Sequence, residues 1–182
     1  RYSLPFSPRL FSGRIFGSAP ERGDVVVFRM PRDDSVDYIK RVVGLPGDTI
    51  QMQRGLLVIN GVPVDRQKVS DFAGDEPCGV RDGKPARRWR ETLPNGASYE
   101  TLDCVDNGFY DNTNVYEVPA GHVFVLGDNR DNSTDSRVRS AVGYIPLDNV
   151  VGRAGLIYFS RKPRGSGEPS IVRSERIGTL VR

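Results

Sequence analysis

Apolar and β-branched residues occur along the chain in short runs that are separated by glycine, proline, asparagine and aspartate. Runs of this length, bounded by turn-forming residues, are typical of β-strands. Asn60-Gly61 and Pro94-Asn95-Gly96 each separate two such runs, which predicts two hairpins. The predicted strands cover residues 25–29, 36–44, 49–53, 56–59, 62–64, 87–93, 97–102, 121–126 and 152–160. The pattern therefore predicts a mainly β fold.

The composition changes between residues 66 and 117, where Asp, Gly, Arg and Asn replace most of the apolar runs. We interpret this stretch as a β-rich insertion in a larger β structure. The predicted organisation is a core formed by residues 1–65 and 118–160, an insertion domain at 66–117, and a C-terminal tail at 161–182. The tail is rich in Arg, Pro, Gly and Ser, which predicts a mobile link or a basic terminal arm.

Residues 1–20 combine aromatic and apolar side chains with prolines, serines, glycines and arginines. Such a segment can be a loop that packs its rings into the core. It can equally be an apolar lip in the membrane interface, where aromatic and cationic side chains are favoured together. The composition alone leaves both interpretations open.

Lys40 places an ammonium group within the predicted strand at residues 36–44. Because side chains alternate along a strand, Lys40 shares a face with Tyr38 and Val42. Its four-carbon stem can carry the charge to water, as in most strand lysines. Alternatively the amine is buried, and a lysine that desolvation keeps neutral can act as a general base. The strand pattern does not choose between these interpretations.

The overall composition is that of an ordinary soluble domain, with 182 residues, 37% hydrophobic, 27% charged and a formal net charge of +3. This length is enough for one sizeable core. The mild positive charge suits contact with anionic lipid headgroups without requiring it. The sequence contains no run of about 18 apolar residues, so no transmembrane helix is predicted within it. Two cysteines and one histidine are too few for a four-ligand zinc site.

Residues 22–28, 38–48 and 127–137 together resemble, in order and in local sequence, the conserved boxes of type I signal peptidases. The first reads Arg-Gly-Asp-Val-Val-Val-Phe and the last Gly-Asp-Asn-Arg-Asp-Asn-Ser-Thr-Asp-Ser-Arg. In that family the fold is nearly all β, and a lysine replaces histidine as the base of a serine peptidase. The resemblance therefore implies a signal-peptidase-like β-fold and the cleavage of signal peptides from exported preproteins.

Carried over residue by residue, the resemblance identifies Lys40 as the general base and Ser133 as the hydroxyl that orients it. It implies that four charged residues hold the architecture of the site: Arg41, Asp128, Asp135 and Arg137. We expect these charges to pair with one another, because an isolated buried charge is costly. The resemblance implies neither a cofactor nor a metal.

The same resemblance implies the partners and the location of the protein. The partners are the signal peptides of preproteins and a membrane surface, contacted through the apolar stretch at residues 1–20, and no nucleic acid. The full-length parent is expected in a bacterial inner membrane with its catalytic region facing the periplasm. An extended substrate should lie along an exposed strand edge, for which residues 38–43 are the candidate.

The two cysteines are interpreted through this location. In an oxidising periplasm, Cys78 and Cys104 are expected to form a disulfide. Two free buried thiols remain the alternative.

One element of the family pattern has no counterpart in the sequence. The family's nucleophile is a serine in a Ser-x-Ser-Met-x-Pro type motif upstream of the first box, whereas the only methionines here are Met30 and Met52. None of the serines before that box is followed by methionine; they are Ser3, Ser7, Ser12 and Ser18. We therefore expect the nucleophile, together with a membrane anchor, upstream of residue 1 in a longer parent, and we expect residues 1–182 to be inactive alone.

Three other functions are compatible with parts of the sequence. A non-catalytic relative could bind peptides in the same groove without a nucleophile. A basic β-domain could bind nucleic acid, but this predicts aromatic residues alternating with Lys or Arg on strands, and the aromatic residues cluster instead near the amino end. A self-cleaving repressor-type Ser-Lys peptidase is a closer alternative, and the box at residues 127–137 argues against it.

Overall fold

A computed structural model describes residues 18–72, 78, 85–162 and 170–181. The chain is mainly β, as predicted. Two short 3-10 helices, Leu147–Asn149 and Ser174–Arg176, accompany the strands. The strands are β1 (Val25–Met30), β2 (Asp33–Gly44), β3 (Thr49–Gln53), β4 (Leu56–Ile59), β5 (Val62–Pro63), β6 (Asp65–Lys68), β7 (Arg87–Thr92), β8 (Ser98–Asp103), β9 (Tyr116–Glu117), β10 (His122–Leu126), β11 (Ile145–Pro146), β12 (Val150–Arg153), β13 (Arg161–Lys162) and β14 (Ile171–Val172).

The strands form antiparallel sheets, and the largest of those in the described residues has the order β11-β10-β2-β1-β12. A second sheet has the order β5-β4-β3-β9, and a third, β6-β7-β8, lies mostly within the predicted insertion. Strand β2 is central in the five-stranded sheet. It pairs with β1 on one side and with β10 on the other. Lys40 therefore lies on the central strand of the largest sheet, where it is paired with β1.

Both predicted hairpins are present. Asn60 and Gly61 connect β4 to β5 with φ angles of 53° and 77°. Two consecutive residues with positive φ are what a two-residue turn between antiparallel strands requires, and the Asn-Gly pair adopts this conformation at low cost. In the second hairpin, β7 and β8 pair from Arg87↔Asp103 to Thr92↔Ser98 around the turn at residues 93–97.

The core consists of two clusters of buried apolar side chains, and β2 contributes to both. Val43 belongs to one cluster and Val42 to the other, because neighbouring strand residues point to opposite faces. The first cluster also contains Leu93 and Tyr99, which come from the stretch predicted as an insertion. The sheet β6-β7-β8 is therefore packed directly against the core.

The predicted strand at residues 152–160 is wrong in its extent, since β12 ends at Arg153. Its partner β1 begins at Val25, whose carbonyl accepts a hydrogen bond from the Ala154 N–H over 2.8 Å. Beyond that point β1 offers no further backbone to pair with. The apolar residues that follow are largely exposed, as for Tyr158 at 85%.

The described part of the predicted C-terminal tail contains paired strands. Strand β13 pairs with β14, and Leu156 forms an isolated antiparallel bridge with Leu180. The Ile157 N–H donates to the Thr179 carbonyl over 2.9 Å. The backbone that β12 leaves unpaired is thus satisfied by the chain folding back on itself.

Candidate functional site

A cavity of about 280 Å³ lies where the middle of β2 faces the loop at residues 127–137. This loop follows directly on β10, which pairs with β2, so the sheet itself brings the second and third sequence boxes together. The lining includes four of the residues that the sequence singles out: Lys40, Arg41, Asp128 and Ser133. Ile39, Asn129 and Asn132 also contribute to its wall.

Lys40 lies on β2 and is half-buried. Its Nζ atom is 5.4 Å from the centroid of the Tyr38 ring, which confirms that these two side chains share a face of the strand. A cation over an aromatic face is attracted to the ring quadrupole. The amine thus lies between a ring and a cavity, and part of its side chain is shielded from water.

Arg41 joins the strand to the loop. Its Nε and Nη2 atoms each donate to Asp128 over 2.8 Å, and its Nη1 donates to the Gly23 carbonyl over 2.8 Å. The Arg41 side chain is 5% exposed and that of Asp128 44%. Forked pairs of this kind fix orientation as well as contributing energy. All three sequence boxes therefore meet at one guanidinium, as the expected pairing of charges required.

Asp135 and Arg137 form a second ion pair behind the cavity. Arg137 Nε donates to Asp135 over 2.9 Å and Nη2 over 2.8 Å, and the two side chains are 0 to 1% exposed. Asp135 also accepts the Gly127 N–H over 3.0 Å. Because the pair is fully buried, removing one partner would leave an uncompensated charge, at a cost of about 3–5 kcal/mol. This pair therefore holds the end of the loop, at Asp135 and Arg137, against its start at Gly127.

Ser133 is packed against Gly127, at the start of the same loop. A Cβ atom at position 127 would clash with Ser133 Oγ, so a side chain there would displace the hydroxyl. Ser133 Oγ is buried and has no hydrogen-bond partner among the described residues. A buried hydroxyl at a cavity wall that has not used its hydrogen bond is available to a group inside the cavity.

The family model "Signal peptidase, peptidase S26" matches residues 7–159, a range that contains all three boxes and the whole cavity. The chain belongs to the signal peptidase S26 family.

Several curated relatives carry the name Signal peptidase I. Those of Rickettsia typhi and Rickettsia prowazekii are 45% and 44% identical to this chain over 169 residues, which are 88% of this chain and 61% of each relative. The chain thus spans about 61% of the length of these relatives. A crystal structure of a signal peptidase I from Enterococcus faecalis is 28% identical, with a TM-score of 0.44, and covers 75% of this chain and 97% of that one.

The predicted signal-peptidase site residues fall into two groups in the structure. Lys40, Arg41, Asp128 and Ser133 line one cavity, and Asp135 and Arg137 support it from behind. Among the serines that precede the first box, Ser18 is exposed, whereas Ser3, Ser7 and Ser12 lie outside the described residues. The predicted apolar lip lies outside them as well, except for residues 18–20.

Cys78 and Cys104 are joined by a disulfide, with a Cα to Cα distance of 5.7 Å. The Cys104 N–H donates to the Asp131 carboxylate over 2.7 Å. The cross-link therefore meets β8 at its contact with the loop, although neither cysteine lines the cavity.

No group of three or more His, Cys, Asp and Glu side chains is placed to hold a metal ion within residues 18–72, 78, 85–162 and 170–181. Over the same ranges, no helix is long and apolar enough to cross a bilayer.

Three residues that hold the loop at residues 127–137 were not predicted from the sequence: Glu91, Tyr99 and Arg130. All three are buried. Glu91 and Tyr99 belong to the third sheet and face each other across β7 and β8. Arg130 lies in the third box, but no partner for it was predicted from the sequence. A glutamate at an inward position of a predicted strand was the available signal, because such a carboxylate needs a cation.

Proposed function

We propose that this chain is the base-bearing catalytic region of a signal peptidase I, which cleaves signal peptides from exported preproteins by a Ser-Lys mechanism. The observation that carries the proposal is the meeting of Lys40 and Ser133 at one cavity inside a family match that spans residues 7–159. Lys40 is the general base, and Ser133 orients its amine.

The chemistry follows from the arrangement of these groups. Neutral Lys40 takes the proton of an attacking serine as that oxygen bonds to the scissile carbonyl carbon. The same proton then passes to the departing amine, leaving an acyl-enzyme. Water then attacks this ester: the lysine accepts a proton from the water and passes it to the serine oxygen as the acyl group leaves. Backbone or side-chain donors must stabilise the oxyanion, and residues that precede the first box are the proposed source.

The nucleophilic serine is proposed to lie outside this sequence. The sequence has no Ser-x-Ser-Met-x-Pro motif, and the chain matches only 61% of the length of its Rickettsia relatives. The remaining part of such a protein has room for the nucleophile and for a membrane anchor.

A substrate peptide can be held by the unpaired part of β2. Strand β10 pairs with β2 only from Arg41 to Gly44, whereas β1 pairs along its other side back to Asp33. The candidate edge at residues 38–43 must therefore be shortened, since 41–43 are covered. On the β10 side, no strand of the described chain pairs with residues 37–40. An extended peptide can add there as a new strand beside Lys40.

Contact of the catalytic region with a membrane is supported by exposed apolar side chains. Seven apolar residues near the C-terminal end are 42 to 85% exposed: Leu156, Tyr158, Phe159, Ile171, Val172, Ile177 and Leu180. Arg161, Arg173 and Arg176 lie in the same segment. Aromatic, aliphatic and cationic side chains together favour the interface of an anionic bilayer.

Cleavage by the full-length protein tests the proposal. Purified in detergent and mixed with a preprotein, it should release a mature protein that begins directly after a small residue, as read by mass spectrometry. A preprotein that is bound but left intact would favour the non-catalytic peptide-binding alternative. Binding of single-stranded DNA in place of the preprotein would favour the nucleic-acid alternative.

Replacing Ser133 by alanine in the full-length protein should lower kcat and leave KM nearly unchanged. Lys40 becomes charged as it takes the serine proton in the transition state, and a hydrogen bond to a charged group contributes about 1.5–3 kcal/mol, which corresponds to a fall of roughly ten- to hundredfold. Steady-state cleavage of a signal-peptide substrate measures both constants. Thr134→Ala is the matched control, since Thr134 is the exposed neighbour. A rise in KM without a fall in kcat would contradict the orienting role.

A further inference from the structure

A buried ion pair connects the third sheet to the loop that carries Ser133. Arg130 Nη1 donates to Glu91 Oε1 over 2.9 Å, and Nη2 donates to the other carboxylate oxygen. The Arg130 and Glu91 side chains are 4% and 1% exposed. Glu91 belongs to β7, which is distant in sequence from the loop and contributes no residue to the cavity wall. The pair therefore contacts the loop without lining the cavity.

Tyr99 connects this ion pair to Arg41, which lines the cavity. Its hydroxyl donates to Glu91 over 3.1 Å, and the centroid of its ring lies 4.1 Å from the guanidinium carbon of Arg41. Arg41 in turn holds Asp128. Glu91 thus acts on the loop at two points, through Arg130 directly and through Tyr99, Arg41 and Asp128.

The backbone of β8 holds the same part of the loop. The Leu102 N–H donates to the Asp128 carbonyl over 2.8 Å, and the Arg130 N–H donates to the Leu102 carbonyl over 2.9 Å. Asn129, between them, forms a parallel bridge with Leu102. Three residues after Arg130 the chain reaches Ser133. The third sheet therefore sets the position of the loop through both its backbone and its buried charges.

The Glu91 carboxylate shifts the pKa of both groups that it contacts. Burial opposes the charge on Arg130, but the Glu91 carboxylate raises the pKa of this arginine above its ordinary value. Burial and the same carboxylate raise the pKa of the Tyr99 hydroxyl, which keeps it a hydrogen-bond donor. Buried pairs often add little net stability compared with apolar residues, so orientation is the better reason to keep one.

We propose that Glu91 is a positioning residue for the peptidase reaction: through its forked pair with Arg130 it holds the loop at residues 127–137 so that Ser133 lines the same cavity as Lys40. This inference rests on the proposed function. Glu91 touches neither the substrate nor Lys40. It acts through Arg130, and its loss should disturb the placement of the base without removing any group that lines the cavity.

Glu91→Gln in the full-length protein tests this role. The amide keeps the shape of the carboxylate and removes its charge, so Arg130 loses its ionic partner. We expect kcat to fall by up to about 100-fold, as a displacement of about 1 Å at a catalytic group can cause, but no further than in Ser133→Ala, because Glu91 acts through the placement of Ser133. KM should stay within twofold of wild type. The matched control is Glu100→Gln. Glu100 lies on β8 and is 39% exposed, with surface partners Arg88 and Arg90, and both constants should stay unchanged.

Cleavage is measured well below the Tm of each variant and expressed per folded molecule, so that lost stability does not count as lost catalysis. Should Glu91→Gln fail to fold, Arg130→Lys serves instead, because it keeps the charge and loses the fork. This variant should show the same fall in kcat at constant KM. Wild-type kcat in folded Glu91→Gln, or a change confined to KM, would overturn the positioning role. Absence of cleavage by the wild-type protein would instead overturn the proposed function.

Discussion

Replacing Lys40 by alanine in the full-length protein is expected to slow signal-peptide cleavage by about 10⁴-fold. A positioned general base contributes about 10²–10⁴-fold to such a reaction, and here the same amine serves both acylation and deacylation. Cleavage of a preprotein, followed by gel electrophoresis at enzyme excess, covers this range of rates. Substrate binding should be little changed, because the backbone edge of β2 is retained.

Lys68→Ala provides the matched control for this experiment. Lys68 is also a strand lysine, but its side chain is 54% exposed and its Nζ lies 3.6 Å from Asp71 in a surface pair. Exposed pairs of this kind contribute about 0–1 kcal/mol. Equal losses in the two variants would show a general effect of removing lysines and would contradict the assignment of Lys40.

The second large effect concerns residues 1–182 by themselves. We expect the purified chain to show no peptidase activity, since it carries Lys40 and Ser133 but no Ser-x-Ser-Met-x-Pro motif. A general base without a serine to deprotonate cannot form the acyl-enzyme. The measurement is hydrolysis of a signal-peptide substrate in detergent, after circular dichroism has shown a folded β protein.

A specific outcome would refute the missing nucleophile. If the purified chain cleaves the substrate, and if alanine at one of Ser3, Ser7, Ser12 or Ser18 removes that activity, the nucleophile lies within the sequence. The site would then have to be redrawn around that serine. Activity that survives all four substitutions would point instead to a contaminating protease.

The strands and hairpins could be predicted because their causes are local. Asn60-Gly61 supplies the backbone conformation of its turn, and the apolar runs on either side supply two strands that can pair. The strand at residues 49–53 has its predicted bounds. Alternation also placed Lys40 on the face of Tyr38, where the structure has it.

The end of β12 could not be predicted in this way, because its cause lies elsewhere in the chain. Residues 154–159 are as apolar as a strand, but Val25 is where the partner β1 begins. A strand requires a neighbour as well as a suitable sequence. The pairing of residues 155–161 with the C-terminal segment depends likewise on contacts between distant residues.

The same distinction between local causes and contacts between distant residues applies to the candidate site. Its cavity-lining residues lie in boxes with a recognisable order, so the resemblance could name Lys40 and Ser133. Glu91 and Tyr99 lie in a stretch without such a box, and their relation to Arg130 exists only once β7 and β8 pack against the loop. Local sequence carries the chemical groups of this site, whereas tertiary packing decides which residues hold them in place.

The most direct test of the central claim is preprotein cleavage by the full-length protein with Lys40→Arg. Arginine keeps a long cationic side chain at this position, but its guanidinium has so high a pKa that it stays protonated and cannot accept the serine proton. We predict cleavage as slow as in Lys40→Ala, with the substrate still bound. Near wild-type cleavage by Lys40→Arg would show that the site needs only a positive charge, and it would contradict the assignment of Lys40 as the general base.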